Sequence, residues 1–160
     1  MKARDIMTSN AVVLDRNQSV RDALRIVAAH RLHDLPVVDE AGRIVGMLST
    51  FDLLRQALPS YIVSGDLKDV AFAPDLSTVY ERLEEMGKRP VSEVMTTDFE
   101  RVSPETTVLE AATLLFRRGH RTHNAAVVDG EGRLVGVIGL WDILKQMDSL
   151  RDLPYGGGAR

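Results

Sequence analysis

The sequence predicts an α/β (α+β) fold: two β-α-β-β-α repeats packed sheet to sheet about a pseudo-twofold axis. The first observation behind this is internal repetition. Val37-Val38-Asp39-Glu40-Ala41-Gly42-Arg43-Ile44-Val45-Gly46 is answered 90 positions later by Val127-Val128-Asp129-Gly130-Glu131-Gly132-Arg133-Leu134-Val135-Gly136. Across 37–54 and 127–144, 9 of 18 positions are identical, which marks two copies of one unit. The second observation is that apolar spacing alternates between strand and helix periods in the same order in both copies. The third is size: a copy of about 55 residues buries too little surface to be comfortable alone, so the two must share a core.

Each copy is read in chain order. The openings Ile6-Met7-Thr8 and Val94-Met95-Thr96 match at an offset of 88, so two extra residues enter the second copy between 117 and 124. A short apolar run follows, Ala11–Leu14 and Phe99–Val102. Ser19-Val20-Arg21-Asp22 and Thr107-Val108-Leu109-Glu110 read as helix starts, with a hydroxyl to cap and an acid three residues on. Val20, Ala23, Leu24 and Val27 then share a helical face, as do Val108, Ala111, Ala112 and Leu115. Two strands come next, about 35–39 and 44–48, then 125–129 and 134–138. Gly42 and Gly132 supply the glycine their turns need for positive φ. A second helix closes each copy, about 51–58 and 141–148.

The predicted divisions are a first repeat over 1–58, a linker over 59–90, a second repeat over 91–148 and a glycine-rich flexible tail over 149–160. Leu76, Val79, Tyr80, Leu83 and Met86 lie at helical spacing and place one helix at about 76–86. The linker reads either as a packed connector or as an effector-responsive or partner-binding element, and the sequence leaves both open.

Composition narrows the function. The 160 residues carry 44% hydrophobic and 27% charged residues, a globular balance. Net charge is −3, which argues against sequence-independent nucleic-acid binding. No apolar run approaches the ~18 residues of a membrane span, and no signal-like stretch follows Met1. The absence of cysteine excludes disulfides, thiolate zinc sites and cysteine nucleophiles, and fits a cytoplasmic protein. There is no phosphate-binding Gly-x-x-x-x-Gly-Lys-Ser/Thr loop and no Gly-x-Ser-x-Gly elbow. No catalytic residues and no enzyme activity are expected.

Leu35-Pro36-Val37-Val38-Asp39 with Gly42–Asp52, and Ala125-Ala126-Val127-Val128-Asp129 with Gly132–Asp142, resemble the CBS (cystathionine-β-synthase-type) domain. The openings Arg4–Thr8 and Ser92–Thr96 resemble it too, and the likeness covers about 1–58 and 91–148. It implies a tandem pair that acts as a regulatory sensor without an attached catalytic domain. The implied ligand is AMP, ADP, ATP or S-adenosylmethionine in clefts at the seam, with Mg²⁺ as a possible companion. A homodimer and an unidentified regulated protein are the implied partners. A structural or interaction module with degenerate clefts is the alternative.

The resemblance also implies site residues. The Gly-x-x-Ser/Thr-x-x-Asp segment supplies Ser49 and Asp52 in the first copy and Gly139 and Asp142 in the second. A carboxylate can accept two hydrogen bonds from a ribose diol, and a hydroxyl near a helix start suits phosphate. Alternatively, each Asp only caps its helix. Gly139 departs from the hydroxyl the family prefers, so the clefts should differ, with glycine allowing closer backbone approach. Carried over, Ser49 and Asp52 would face Glu100, Thr122 and His123, and Asp142 would face Asn10, Val12, Leu32 and His33. Phe51 and Trp141 would line the clefts or simply pack. His30-x-x-His33 and His120-x-x-His123 read as phosphate contacts or as ordinary surface histidines, with Arg117, Arg118 and Arg121 adding charge nearby; no metal site is expected. Asp34, opposite Asn124, stands where relatives often carry arginine.

Overall fold

A computed structural model of the chain describes residues 1–65, 76–117 and 123–147. The first repeat contains β1 (Leu14–Asp15), α2 (Val20–His30), β2 (Asp34–Val38), β3 (Ile44–Ser49) and α3 (Thr50–Ala57), preceded by a short helix α1 (Ala3–Ile6). A turn of helix α4 (Ser60–Val63) and the longer α5 (Leu76–Gly87) follow. The second repeat contains β4 (Arg101–Val102), α6 (Val108–Arg117), β5 (Asn124–Val128), β6 (Leu134–Gly139) and α7 (Leu140–Leu144). The predicted element order holds. The first strands are only two residues long, and α7 ends before its predicted limit. The linker helix lies where the apolar spacing placed it. Residues 66–75, 118–122 and the tail over 149–160 lie outside the described residues.

Each repeat forms one three-stranded mixed sheet, in the order β1-β2-β3 and β4-β5-β6. The outer pairs β1–β2 and β4–β5 are parallel, and the hairpin pairs are antiparallel. The same irregularity interrupts both hairpins, between Val37 and Val38 and between Val127 and Val128. Gly42 and Gly132 do turn with positive φ, 75° and 79°. Both helix starts are capped: Ser19 Oγ accepts from Asp22 N–H (3.1 Å), and Thr107 Oγ1 from Glu110 N–H (3.2 Å). Glu110 reaches back to accept from Thr107 N–H at 2.9 Å, which closes a capping box.

Alternate residues of each hairpin face opposite ways. Leu35, Val37 and Leu48 point under α2 and α3 into the first core, while Ala125, Val127 and Ile138 point into the second with Ala111 and Leu115. The other faces meet at the seam, where Ile44 and Met47 pack on Phe99 and Ala126. There Ile44 N–H donates to Gly132 O (3.3 Å) and Leu134 N–H to Gly42 O (3.0 Å). That reciprocal pair marks the pseudo-twofold axis.

The lead-in of each repeat crosses to the other. Ala3 N–H donates to Thr106 O at 2.8 Å, and Thr8 exchanges both backbone bonds with Val137 (2.9 and 3.1 Å). In return Val91 N–H donates to Gln18 O, and Thr96 exchanges both bonds with Met47, each at 2.9 Å. Ala3 therefore belongs to the second core, and Val91 and Val94 to the first. The seam is laced on both sides by these exchanged arms.

Candidate functional site

Among the described residues only three polar or charged side chains are buried: Asp34, Ser49 and Asp142. Ser49 and Asp142 lie where strand passes into helix, and Asp34 opens β2. Asp34 pairs with Ser49 across β2–β3, and Asn124 pairs with Gly139 across β5–β6. Residues directly opposed in an antiparallel pair project from the same face.

The two copies use this corner differently. Asp142 is turned inward: it accepts from Gly139 N–H at 2.7 Å and from Thr8 Oγ1 at 3.3 Å. Burial pushes its pKa up, against the opposing pull of the Gly139 amide, the Thr8 hydroxyl and Lys145. Asp142 thus holds the start of α7 and ties it to the crossing arm. Asp52 makes no such bond. Its carboxylate meets only Arg55, with Nε at 3.6 Å. The Ser49 side chain makes no cap bond to α3. Ser49 and Asp52 therefore keep unused hydrogen-bonding capacity.

The room that Gly139 would open is taken. A Cβ there would lie 2.1 Å from Asn124 Oδ1, so the Asn124 amide fills the place where Ser49 has its hydroxyl. Closer backbone approach by a ligand is therefore blocked by a side chain from β5. Asp34 acts in the other direction. Its Oδ2 accepts from His123 N–H at 3.0 Å and lies 3.0 Å from His123 Nδ1, so the carboxylate of one repeat holds the histidine of the other.

The remaining expected site residues spread around this seam. His33 sits beside Ser49, its carbonyl accepting from Thr50 N–H at 2.9 Å, while His123 O accepts from Leu140 N–H at 3.3 Å. Each pre-strand histidine thus adjoins the helix start of its own repeat; His123 alone is also held across the seam. Glu100 is half-buried, and its carbonyl accepts from Ala126 N–H at 2.9 Å. Asn10 is exposed, two residues beyond Thr8, while Val12 and Leu32 pack on the first core. Phe51 is 65% exposed, whereas its counterpart Trp141 is half-buried. Thr122 and the cations Arg118 and Arg121 lie outside the described residues, as does His120. His30 and His33 do not share a helix face, because α2 ends at His30 and Arg31 turns left-handed with φ 53°. Among the described residues no three His, Asp or Glu side chains gather as metal ligands, and no helix is long and apolar enough to cross a membrane.

Residue patterns missed three participants: Thr8 as the partner of Asp142, Asn124 as the filler over Gly139, and Asp34 as a cross-seam acceptor. Register could have exposed the last two. Placing Asp34 opposite Ser49 puts Asn124 opposite Gly139 at the same offset of 90.

The CBS domain model matches residues 3–58 and 91–149. A CBS domain-containing protein of Arabidopsis thaliana, CBSX2, is 32% identical over 144 residues, covering 84% of this chain and 58% of its own. Inosine-5'-monophosphate dehydrogenase of Aquifex aeolicus is 28% identical over 91% of this chain, which spans only 24% of that enzyme. The chain therefore corresponds to just part of these relatives. The crystal structure of CBSX2 superposes with a TM-score of 0.72 at 23% identity, covering 94% of this chain and 96% of that one.

Proposed function

The chain belongs to the CBS domain family, as a tandem pair, and on that premise we propose that it is a non-catalytic regulatory module sensing an adenosine-containing ligand at its seam. The carrying observation is the contrast between the two helix starts. Asp142 is consumed by Gly139 N–H and Thr8, while the Ser49 hydroxyl makes no cap bond and Asp52 meets only Arg55 at 3.6 Å. We assign the ligand to the Ser49–Asp52 cleft, with Asp52 receiving a ribose diol and Ser49 the 5′ side of the ligand. The solved relatives support the ligand class. CBSX2 has been crystallised in complex with AMP, and the CBS pair of MJ0100 with 5′-methylthioadenosine and S-adenosyl-L-methionine.

Binding would act by preference. A ligand touching both repeats favours the seam arrangement it fits best, in proportion to its difference in affinity between arrangements. The crossing arms and α5 would carry that change to a regulated protein. Isothermal titration with AMP, ADP, ATP and S-adenosylmethionine tests the reading. Saturable binding of at least one, weakened at least about tenfold by Asp52→Ala, is expected. No binding at millimolar ligand, with Asp52→Ala indistinguishable from wild type, would overturn it.

A second reading, an interaction module with closed clefts, draws on Asn124 filling the Gly139 site and on the Asp34–His123 contact. Under it, partner binding is insensitive to every adenosine ligand. We further propose a homodimer through the outer face of α6 and α7, where Leu109, Phe116, Leu144 and Met147 are all more than half exposed.

A further inference from the structure

Asp34 is a buried charge that the fold does not require. Its side chain is 1% exposed, and a carboxylate so placed is costly unless well partnered. The matching position in the second repeat carries neutral Asn124, in the same register and the same β-hairpin. The fold thus accepts an uncharged group of the same shape at this corner. The charge lies on the face of the sheet that carries Ser49, whose hydroxyl makes no cap bond, three residues before Asp52. Among the described residues the cationic or protonatable groups in contact with these two acids are Arg55, beside Asp52, and His123, beside Asp34. Both are already engaged.

We propose that Asp34 sets the charge selectivity of the Ser49–Asp52 cleft: it disfavours polyphosphate and favours adenosyl ligands with a neutral or positively charged 5′ substituent. The inference rests on the reading of that cleft as an adenosyl site. A phosphate entering on the Ser49 side approaches two carboxylates, Asp34 and Asp52. At the effective dielectric of a partly buried site, a like unit charge about 10 Å away costs on the order of tenfold in affinity. The penalty grows with each phosphate added. A sulfonium or thioether at the same position meets attraction or no net force. The bond from His123 N–H holds the carboxylate in place at 3.0 Å, so the charge cannot swing away to relieve the repulsion.

Asp34→Asn tests this, because it keeps the shape and an acceptor for His123 N–H while removing the charge. Binding of S-adenosylmethionine, 5′-methylthioadenosine, AMP and ATP would be measured by calorimetry without divalent cations, on wild type and variant at one pH and ionic strength. In wild type, S-adenosylmethionine or 5′-methylthioadenosine should bind at least about tenfold more tightly than ATP; this comparison needs no variant to fold. In Asp34→Asn, ATP should tighten by about tenfold while neutral 5′-methylthioadenosine stays within about twofold. Tightest binding of ATP by wild type would overturn the proposal, as would an equal change for all four ligands, since a purely structural contact does not read ligand charge. Both outcomes leave the adenosyl reading intact. Failure of every ligand to bind wild type would instead overturn the adenosyl reading, and this inference with it.

Discussion

Asp142 and Asp52 hold matched places in two copies of one motif, yet Asp142 holds the start of its helix while Asp52 meets only Arg55. Thr8 from the crossing arm and the Gly139 amide at 2.7 Å hold Asp142, whereas in the first repeat the hydroxyl of the matching Thr96 accepts from Asp98 N–H instead. Burial raises the Asp142 pKa. A carboxyl whose pKa is higher folded than unfolded binds more protons in the folded state between the two values. It therefore favours folding as pH falls through that window and disfavours it as pH rises. Asp39 and Asp129 act oppositely. The Arg43 and Arg133 amides of their turns hold both pKa values down, so their contribution is present above the ordinary carboxylate range and lost on acidification. Asp142→Asn should therefore leave stability at neutral pH unchanged or up to about 1 kcal/mol higher, its advantage over wild type vanishing as pH falls below the carboxylate range. Asp142→Ala leaves the Gly139 N–H without its partner and should cost about 1–3 kcal/mol. Urea unfolding of the three proteins across that pH range checks both. A larger loss for Asn than for Ala would show that the charge itself is needed. At this scale the motif marked Asp142, but its bonding was not legible, because Thr8 lies 134 residues away and reaches it only through the arm exchange.

The repeated hairpins depend on a contact between elements that the repeat does not advertise. Each crossing arm lays a methionine over a glycine of the opposite β-hairpin. A Cβ on Gly46 would stand 2.3 Å from Met95 Sδ, and one on Gly136 would stand 2.8 Å from Met7 Sδ and 3.1 Å from Thr8 O. Glycine is required here by close approach, not by backbone conformation. Gly46→Ala should destabilise by about 1–3 kcal/mol through overpacking. Adding Met95→Ala should recover part of that loss, because the three nearest atoms all belong to Met95. Gly136→Ala should be rescued less by Met7→Ala, since the Thr8 carbonyl is also in the way and is fixed by its ladder to Val137. Double-mutant cycles by thermal or urea unfolding measure the coupling, and additive losses in both pairs would refute the account. Strands and helices were legible from apolar period and capping residues, as Ser19 and Thr107 illustrate. The exchange was not: Ile6-Met7-Thr8 and Val94-Met95-Thr96 show a repeat, but local pattern does not say which hairpin a lead-in joins.

At the scale of the molecule the two-fold is broken by one helix. α5 lies on the first repeat, burying Val79 and Met86 against α2 and α3, with Arg21 paired to Glu84 and Arg82 donating to Ala57 O. Amphipathic spacing shows that such a helix has an apolar side. It does not tell which of two near-equivalent repeats receives it, so this asymmetry appears only in three dimensions. Its consequence falls on the second repeat. Arg21 and Ala57 correspond to Leu109 and Met147 at offsets of 88 and 90. Ala57 is fully buried, whereas Leu109 and Met147 are 78% and 56% exposed. Phe116 and Leu144 extend the same apolar character along α6 and α7, and no described helix covers them. A surface of this kind placed on one side of the molecule suits an isologous contact with a second copy, in which the same apolar face of each copy covers that of the other. Phe116→Glu combined with Leu144→Glu should weaken the dimer at least about tenfold in light scattering after size exclusion, by setting like charges into a dehydrated face. Tyr80→Glu, equally exposed but on α5, should leave it unchanged. Because the face lies on the helix side of the sheet and Ser49 and Asp52 on the seam side, the double variant should keep wild-type ligand affinity. A wild type that is monomeric at all concentrations would refute the dimer. A double variant that dimerises as wild type does would refute this face as the contact, and loss of the dimer in Tyr80→Glu would move the contact to the α5 side.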